Sequence, residues 1–362
     1  MSKLTGEVAI SNAKIAKAHI ASLLEQEVNE LLQEIGNSLI NNIDYIVKEN
    51  EKDVDRARLI GADTEELTIT AEDIRQIAHV YFDFSTKEPH IGVKKDGFIT
   101  SPMGIVATIF ESSPKTIAIA SAYCIKSRCG LIASGSKSLE NTNKALTIAI
   151  QTGIKAHKKD TNMLQYIELH DTLAFDEFIN SELDLIIPIG SPKFVDLIRE
   201  NSKNICLETA VAMPYLFIDK SAGLVEVANK IILDDIKKVI IHEKVYDEVL
   251  SELKGKIGLI TEPKQYDLNP YHSLHKTVVV KTENLETAIE HINTYSNGHT
   301  DIIFSNDIEN VQHFIKNVNS VIPLVNSLPT NEPLEVFATI VSHGYFAGSF
   351  TIDKLVSFKH IV

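Results

Sequence analysis

The feature that most constrains this fold is a regular alternation of short apolar strands and helices between residues 103 and 325. Its first half predicts four strands that are each followed by a helix, and its second half predicts five more strands. Short strands separated by helices are typical of crossover connections, so we expect two parallel sheets with helices on both faces. The predicted strands are 103–110, 130–133, 163–168, 184–187, 213–218, 238–242, 276–280, 301–305 and 320–325.

The segments on either side of this alternation complete the predicted organisation. The first eighty residues have apolar side chains at three-to-four spacing and predict helices, one of which begins after a Thr70 cap. Residues 86–101 predict an exposed hairpin that turns near Asp96 and Gly97, and the C-terminal LVSFKHIV predicts an apolar strand. We expect both to make oligomer contacts. The expected domains are 1–206, 207–330 and 331–362.

Composition excludes several classes of function. The 362 residues include 49 acidic and 35 basic side chains, and the resulting net charge of −14 disfavours nucleic acid as a partner. Three cysteines without a CxxC pair cannot form a disulfide framework, and no segment has the length and apolarity of a signal peptide or membrane span. The sequence contains neither an HExxH motif nor a close His/Cys cluster, so it does not predict a metal site. We therefore expect a cytoplasmic protein with a small-molecule ligand and no membrane partner.

Two glycine-containing turns are candidates for binding phosphate. GxGxxG and GxxxxGK[ST] are absent, but ASGSKS (133–138) and PIGSPK (188–193) each follow a predicted strand and open a helix. Ligands of α/β sheets bind at the carboxyl ends of the strands, where these turns lie. The alternative is that both are ordinary turns in which Ser136 and Ser191 cap the helices.

The cysteines are the candidates for covalent catalysis. Cys124 and Cys129 lie in an apolar helix and are predicted to be core residues. Cys206 lies at the end of a strand, two residues before Glu208, so alternation places both side chains on one face, as a nucleophile and base would need. The alternative for Cys206 is a buried structural thiol. His291 and His299 are predicted to be turn and surface residues.

Several long strings in this chain, together with the order of its elements, resemble one family. They are SPMGIVATIFESSP (101–114), YCIKSRCGLI (123–132), LDLIIPIGSPKFVDLIRENSKNICLETAV (183–211), AIEHINTYSNGHTDIIFSND (288–307) and LVSFKHIV (355–362). The family is that of the gamma-glutamyl phosphate reductases, or glutamate-5-semialdehyde dehydrogenases, within the aldehyde dehydrogenase superfamily. The resemblance implies an aldehyde-dehydrogenase-like fold, a homodimer or higher oligomer, and NADPH-dependent reduction of gamma-glutamyl phosphate to glutamate semialdehyde and phosphate in proline biosynthesis.

The resemblance also implies roles for individual residues. Glu208 matches the glutamate of the family's E-T-G segment, and Ser112 and Ser113 stand where an oxyanion or substrate contact is expected. The cofactor-binding turns are matched by Ser134, Gly135, Ser136 and Lys137 and by Gly190 and Ser191. Both turns lack an arginine that the family has, and Lys137 and Lys193 can supply a point charge instead.

One departure from the family pattern concerns the nucleophile. The family's catalytic cysteine lies in a loop between the elements matched by LVEVANKIIL (224–233) and KVIIHE (238–243), and LDDIKK alone joins these elements here. The resemblance therefore implies that the loop is deleted, with Asp234 and Asp235 as polar residues of a tight connection. A glycine-rich segment that closes the family's cleft is also shortened, to EPLEVFATIVSHG (332–344).

Three functions are compatible with the sequence. The first is a working reductase in which Cys206 or another residue replaces the lost nucleophile. The second is an inactive paralogue with a binding or regulatory role, associated with an active reductase or with glutamate kinase. The third is a thiol-independent reductase or dehydrogenase for another small substrate. Because loss of an attacking group costs on the order of a million-fold in rate, the deletion favours the second.

Overall fold

The chain forms two compact units, which we call unit 1 and unit 2. Unit 1 comprises Met1–Thr209, Glu332–Ala338 and Phe350–Val362, and unit 2 comprises Ala210–Asn331 and Thr339–Ser349. The structure is a computed structural model, and it describes residues 5–62, 64, 67–111, 113–169, 171–207, 213–233, 236–269, 276–328, 340–341, 347–348 and 352–360.

Helices and strands alternate along most of both units. The helices are α1 (Gly6–Ala21), α2 (Glu25–Asn41), α3 (Ile43–Leu59), α4 (Ala71–Thr86), α5 (Thr116–Lys126), α6 (Glu140–Ala156), α7 (Thr172–Ile179), α8 (Pro192–Asn201), α9 (Leu224–Leu233), α10 (Tyr246–Leu253), α11 (Leu285–Tyr295) and α12 (Ile308–Asn317). The strands are β1 (Lys94–Lys95), β2 (Phe98–Pro102), β3 (Ile105–Phe110), β4 (Gly130–Gly135), β5 (Leu164–Tyr166), β6 (Leu185–Ile189), β7 (Tyr215–Ile218), β8 (Lys238–His242), β9 (Leu259–Ile260), β10 (Thr277–Thr282), β11 (Thr300–Phe304), β12 (Ile322–Val325), β13 (Ile340–Val341), β14 (Ala347–Gly348) and β15 (Val356–His360).

Unit 1 is built on a parallel sheet with the strand order β5-β4-β3-β6. One face of this sheet packs against α1 and α7, with Ala107, Ile132 and Ile186 in the shared core. The direction in which strands are added reverses between β3 and β6, because β4 and β5 lie on one side of β3 and β6 lies on the other. The crevice at such a switch point is where open α/β sheets bind ligands.

The predicted hairpin is confirmed, and it pairs with the C-terminal strand of the same chain. Asp96 and Gly97 form its turn with φ values of 51° and 80°, the left-handed conformation that a two-residue hairpin turn requires. β15 then pairs antiparallel with β2 to give the sheet β1-β2-β15. The predicted Thr70 cap is also confirmed, because the Thr70 hydroxyl accepts the N–H of Asp73 at 3.1 Å.

Unit 2 is built on a second parallel sheet with the strand order β12-β11-β7-β8-β10-β9. Successive residues of β7 pack on opposite faces: Leu216 and Ile218 in one core, Tyr215 and Phe217 in another. Burial of both faces explains why its strands read as continuous apolar runs. The sequence did not predict β9, since a two-residue strand carries no periodicity. β13 and β14 form a separate antiparallel pair.

The predicted fold class is thus confirmed: the protein is α/β with two parallel sheets and an additional antiparallel sheet. Throughout the ranges given above, helices are too short or too polar to cross a membrane. In those same ranges, no three His, Cys, Asp or Glu side chains are grouped so that they could hold a metal ion.

A buried carboxylate joins the N-terminal helices of unit 1 to its sheet layer. The side chain of Asp53 in α3 is 0% exposed and accepts hydrogen bonds from the backbone and hydroxyl of Thr142, at 2.8 and 2.7 Å. It also accepts the side-chain amide of Asn141 at 2.8 Å and pairs with Arg56. The carboxylate therefore caps the first turn of α6, where negative charge is stabilised by the helix dipole.

Replacing Asp53 with alanine is expected to lower the free energy of unfolding of unit 1 by about 3 kcal/mol, because it leaves buried donors unsatisfied. Asp55→Ala is the matched control, since Asp55 forms the same kind of i,i+3 pair with Arg58 but is 69% exposed. The control should cost less than about 1 kcal/mol. Urea titration followed by circular dichroism measures both, and equal losses would contradict the buried role of Asp53.

Candidate functional site

The two turns predicted to bind cofactor lie at the carboxyl edge of the unit 1 sheet. Ser134 and Gly135 end β4, and the turn Gly190–Ser191 follows β6, so they flank the end of β3 on its two sides. The Ser136 hydroxyl accepts the N–H of Ser138 at 3.3 Å and caps a short 3-10 turn, Lys137–Leu139. The structure therefore brings the six predicted cofactor residues to one edge.

Gly135 is required by packing at this edge. A Cβ atom added to Gly135 would lie 2.6 Å from the Phe110 ring of β3 and even closer to the buried side-chain amide of Asn143 in α6. Ser134 is also buried, with 3% exposure. The packing of β4 against β3 and α6 is thus sufficient to explain the glycine.

The turn after β6 already holds an anionic oxygen. Glu111, the residue after β3, accepts the backbone N–H of Ser191 through Oε2 at 2.7 Å. Its own N–H donates to the carbonyl of Ile189 at 3.0 Å, which continues the pairing of β3 with β6. A carboxylate at the start of α8 is electrostatically favourable because the N-terminal end of a helix dipole is positive. This turn can therefore accept a negatively charged oxygen.

The other residues predicted at the site are only partly described. Ser112 and Glu208 lie outside the described residues, as do Asp234, Asp235 and most of the shortened segment 332–344. Ser113 has a φ of 64°, and its hydroxyl accepts the N–H of Lys115 at 3.4 Å in the turn before α5. The Lys115 ammonium is paired with Asp73 at 2.6 Å.

The three thiols differ in their surroundings. Cys124 and Cys129 are 2% and 0% exposed, which confirms them as core residues, and burial raises the pKa of both. Cys206 is partly buried beside β6, where it forms an isolated bridge with Ile186 and its Sγ lies 3.7 Å from the carbonyl of Asn204. The Cys206 thiol also packs against the apolar core of unit 1.

A second group of titratable side chains lies at the amino edge of the unit 2 sheet, and sequence reasoning missed it. Tyr215 begins β7 and Lys238 begins β8, and the two residues are direct neighbours in the sheet. Their side chains donate to the consecutive carbonyls of Leu268 and Asp267. The sequence did carry a signal for this group, because polar residues lie at the amino ends of strands that are otherwise apolar.

Asp301 is the centre of this group. It is 0% exposed and accepts the N–H of Tyr215 at 2.9 Å and the hydroxyl of Ser296 at 2.7 Å, together with the hydroxyl of Ser320. Burial outweighs these hydrogen bonds and raises the pKa of Asp301 to about 6. Burial also lowers the pKa of Lys238 to about 8.

Two histidines lie in the same region of unit 2. The prediction that His299 is a surface residue is wrong. His299 is 4% exposed because it directly precedes the buried strand β11. Burial lowers the pKa of His299 to about 4. His291 is partly buried between the rings of Tyr215 and Tyr295, with centroid distances of 5.7 and 4.7 Å. Gly298, in the connection between α11 and β11, has a φ of 72°, which glycine adopts readily. Perturbed pKa values concentrated in one region are typical of functional sites as well as of buried networks.

The connection that precedes Lys238 is short. Residues 234–237 alone join the end of α9 to the start of β8. Ile236 in this connection is 5% exposed, and its N–H donates to the carbonyl of Ile231 at 3.2 Å, which closes the end of α9. The strand β8 therefore begins five residues after the last residue of α9, at the edge where Tyr215 and Asp301 lie.

The raised pKa of Asp301 predicts a pH dependence of stability. Folded Asp301 keeps its proton to about pH 6, whereas the unfolded residue loses it near pH 4. The associated stability is present below pH 4 and is lost as the pH rises through 6. Relative to Asp301→Asn, the free energy of unfolding of the native chain should fall by about 2 kcal/mol between pH 4 and pH 7.

Urea titrations of both proteins at four pH values across this range measure that difference. Asp55→Asn, at an exposed site, is the control and should follow the native pH profile. A constant difference between Asp301→Asn and the native chain would show that Asp301 is ionised throughout.

Comparison with known proteins identifies clear relatives, although no family model matches the chain. It is 26% identical to the gamma-glutamyl phosphate reductase of Alkaliphilus metalliredigens, over 86% of this chain and 85% of the relative. It is 25% identical to that of Petrotoga mobilis, over 98% of this chain and 97% of the relative. The second alignment extends over 408 positions, so it includes segments with no counterpart in these 362 residues.

Solved structures give the same result for the fold. A gamma-glutamyl phosphate reductase from Thermotoga maritima matches with a TM-score of 0.79 at 21% identity, covering 97% of both chains. An acetylating aldehyde dehydrogenase from Geobacillus thermoglucosidasius matches with a TM-score of 0.78 at 14% identity, covering 98% of this chain and 95% of that one. The fold is therefore that of the aldehyde dehydrogenases, and in sequence the chain is similar to the gamma-glutamyl phosphate reductases over nearly its whole length.

Proposed function

We propose that this chain binds a nicotinamide dinucleotide, NADPH, on unit 1 but does not carry out the thiol-dependent reduction of gamma-glutamyl phosphate. The observation that carries this proposal is the four-residue connection between α9 and β8, in a unit whose residues include no cysteine. The chain would then act as a binding or regulatory protein on a reductase scaffold.

The proposal follows from what the reaction needs. Reduction of an acyl phosphate requires a nucleophile that displaces phosphate to form an acyl-enzyme, and N–H donors that stabilise the oxyanion. The nicotinamide group supplies the hydride when it is bound. Unit 2 contains no cysteine that could supply the attacking thiolate.

Two of the three thiols are poorly suited to replace it. Thiolate is the reactive form of cysteine, and burial raises the pKa of Cys124 and Cys129 and so disfavours it. Both side chains are also closed to a substrate by the core around α5.

The described residues of unit 1 fit a dinucleotide phosphate. The turn at Gly190 and Ser191 lies at the switch point of the sheet and accepts an anionic oxygen, because the Glu111 carboxylate occupies that position. Ser134 and Gly135 end the neighbouring strand, and Lys137 and Lys193 add positive charge. These residues would hold and orient the cofactor, and backbone N–H groups would do so without the two missing arginines.

A second candidate is a working reductase that uses Cys206. It is favoured by one observation: Cys206 is the cysteine that is only partly buried, whereas the other two lie in the core. If this candidate is correct, Glu208 is its nearest acidic residue in sequence.

The discriminating experiment is phosphate-dependent reduction of NADP by the purified chain with glutamate semialdehyde. We expect turnover about a million-fold below the common range of 1 to 1000 per second, because the attacking group is missing. An active relative assayed in parallel shows that the substrate is competent. Turnover in the common range that Cys206→Ser abolishes and Cys124→Ser leaves intact would overturn the proposal in favour of the second candidate.

We also propose that the sheet β1-β2-β15 joins copies of this chain in an oligomer. Within the described part of the chain, β15 pairs with β2 alone, so its other edge is open, and Phe358 and Phe98 are 66% and 41% exposed on this sheet. An open apolar edge strand is a template for pairing with another chain.

Phe358→Lys is expected to shift the chain toward the monomer, because it places a charge on this apolar edge. Leu59→Lys is the control, since Leu59 is 88% exposed at the end of α3, away from the sheet. Light scattering after size-exclusion chromatography measures the mass. A monomeric native chain, or an unchanged mass for Phe358→Lys, would contradict the proposal.

A further inference from the structure

The carboxylate of Glu111 lies where the proposed cofactor phosphate would bind. It follows the last residue of β3 and accepts the N–H of Ser191 at 2.7 Å across the switch point of the sheet. Ser191 is the residue before α8, and its hydroxyl makes no capping bond to the helix. Pro192, the first residue of α8, has no N–H to donate. The bond from Ser191 to Glu111 thus uses one of the few donors that this turn offers.

The backbone of the turn is shaped around the Glu111 side chain. A Cβ atom added to Gly190 would lie 2.5 Å from Oε2 and 2.9 Å from Cγ of Glu111. The absence of a side chain at this position lets the carboxylate reach the N–H of Ser191. Glycine at such a turn equally permits a phosphate to approach the backbone.

Two lysines follow the strands that flank β3. Lys137 lies in the 3-10 turn after β4, and Lys193 lies in the first turn of α8, after β6. Among the residues described here, neither ammonium group has a carboxylate partner within 4 Å, and Glu111 likewise has no cation within that distance. Glu111 therefore adds a negative charge to a turn whose neighbouring cations are lysines, and it repels a phosphate that approaches the same N–H group.

We propose that Glu111 is an internal competitor of the dinucleotide phosphate, an autoinhibitory contact that must be displaced before the cofactor binds. This inference rests on the proposed nicotinamide site. Glu111 lowers the affinity for the dinucleotide in two ways: it occupies the Ser191 N–H, and it repels the incoming negative charge. Because its side chain is exposed and Glu111 lies outside β3, the carboxylate can leave the Ser191 N–H without breaking the pairing of the strand.

The test compares Glu111→Gln with the native chain in binding NADPH and inorganic pyrophosphate. The chain has no tryptophan, so the fluorescence of the reduced nicotinamide reports NADPH binding without a tryptophan background. Isothermal titration calorimetry measures pyrophosphate. We expect Glu111→Gln to bind both probes about tenfold more tightly, since it removes a charge and weakens one charge-assisted hydrogen bond. Glu200→Gln, which removes an exposed carboxylate from the other end of α8, is the matched control and should change neither affinity.

The two probes separate this inference from the proposed function. Unchanged or weaker binding of both probes by Glu111→Gln overturns the role of Glu111, even if the native chain binds NADPH. If pyrophosphate binds more tightly to Glu111→Gln but NADPH binds to neither protein, the role of Glu111 stands and the nicotinamide proposal fails. An equal gain in Glu200→Gln would show an effect of net charge alone and would also overturn the inference.

Discussion

Burial of both faces of each parallel sheet is the constraint on which the rest of this structure depends. The middle strands β3 and β8 are buried at every position, so no polar side chain can work from the faces without a large desolvation cost. The chemistry of both units is therefore confined to the ends of strands. In unit 1 the glycine turns and Glu111 collect at the carboxyl edge, and in unit 2 Tyr215, Lys238 and Asp301 collect at the amino edge.

The two edges differ in how their polar groups are satisfied. At the unit 2 edge, Asp301 is held by three donors from different segments, and the lysine and tyrosine of the neighbouring strands hold the carbonyls of Asp267 and Leu268. Such a network fixes the edge in one arrangement. At the unit 1 edge, the Glu111 side chain accepts one hydrogen bond from the described residues, and its donor is an exposed backbone N–H. The Asp301 network is thus tied to several segments, whereas the Glu111 contact can break without disturbing other hydrogen bonds of its side chain.

Much of the fold could be predicted from the sequence, and the reasons are local. Strand and helix periodicities, the Thr70 cap and the Asp96–Gly97 turn each depend on a few neighbouring residues. The site was less predictable because it depends on contacts across the chain. Nothing near Glu111 in sequence indicates its bond to Ser191, eighty residues away, and His299 looked exposed because its burial comes from elements packed around it. Gly135 was assigned to phosphate on its position alone, whereas Phe110 and Asn143 supply a packing reason.

The short α9–β8 connection and the Glu111 contact bear on different steps. If unit 2 lacks the nucleophile, as we propose, tight binding of a cofactor brings no gain in rate. A carboxylate that competes with phosphate would lower that affinity, so Glu111 would set the dinucleotide concentration at which the unit 1 turn is occupied. Under the two proposals, displacement of Glu111 governs occupancy of this turn, whereas the missing thiol governs the chemistry.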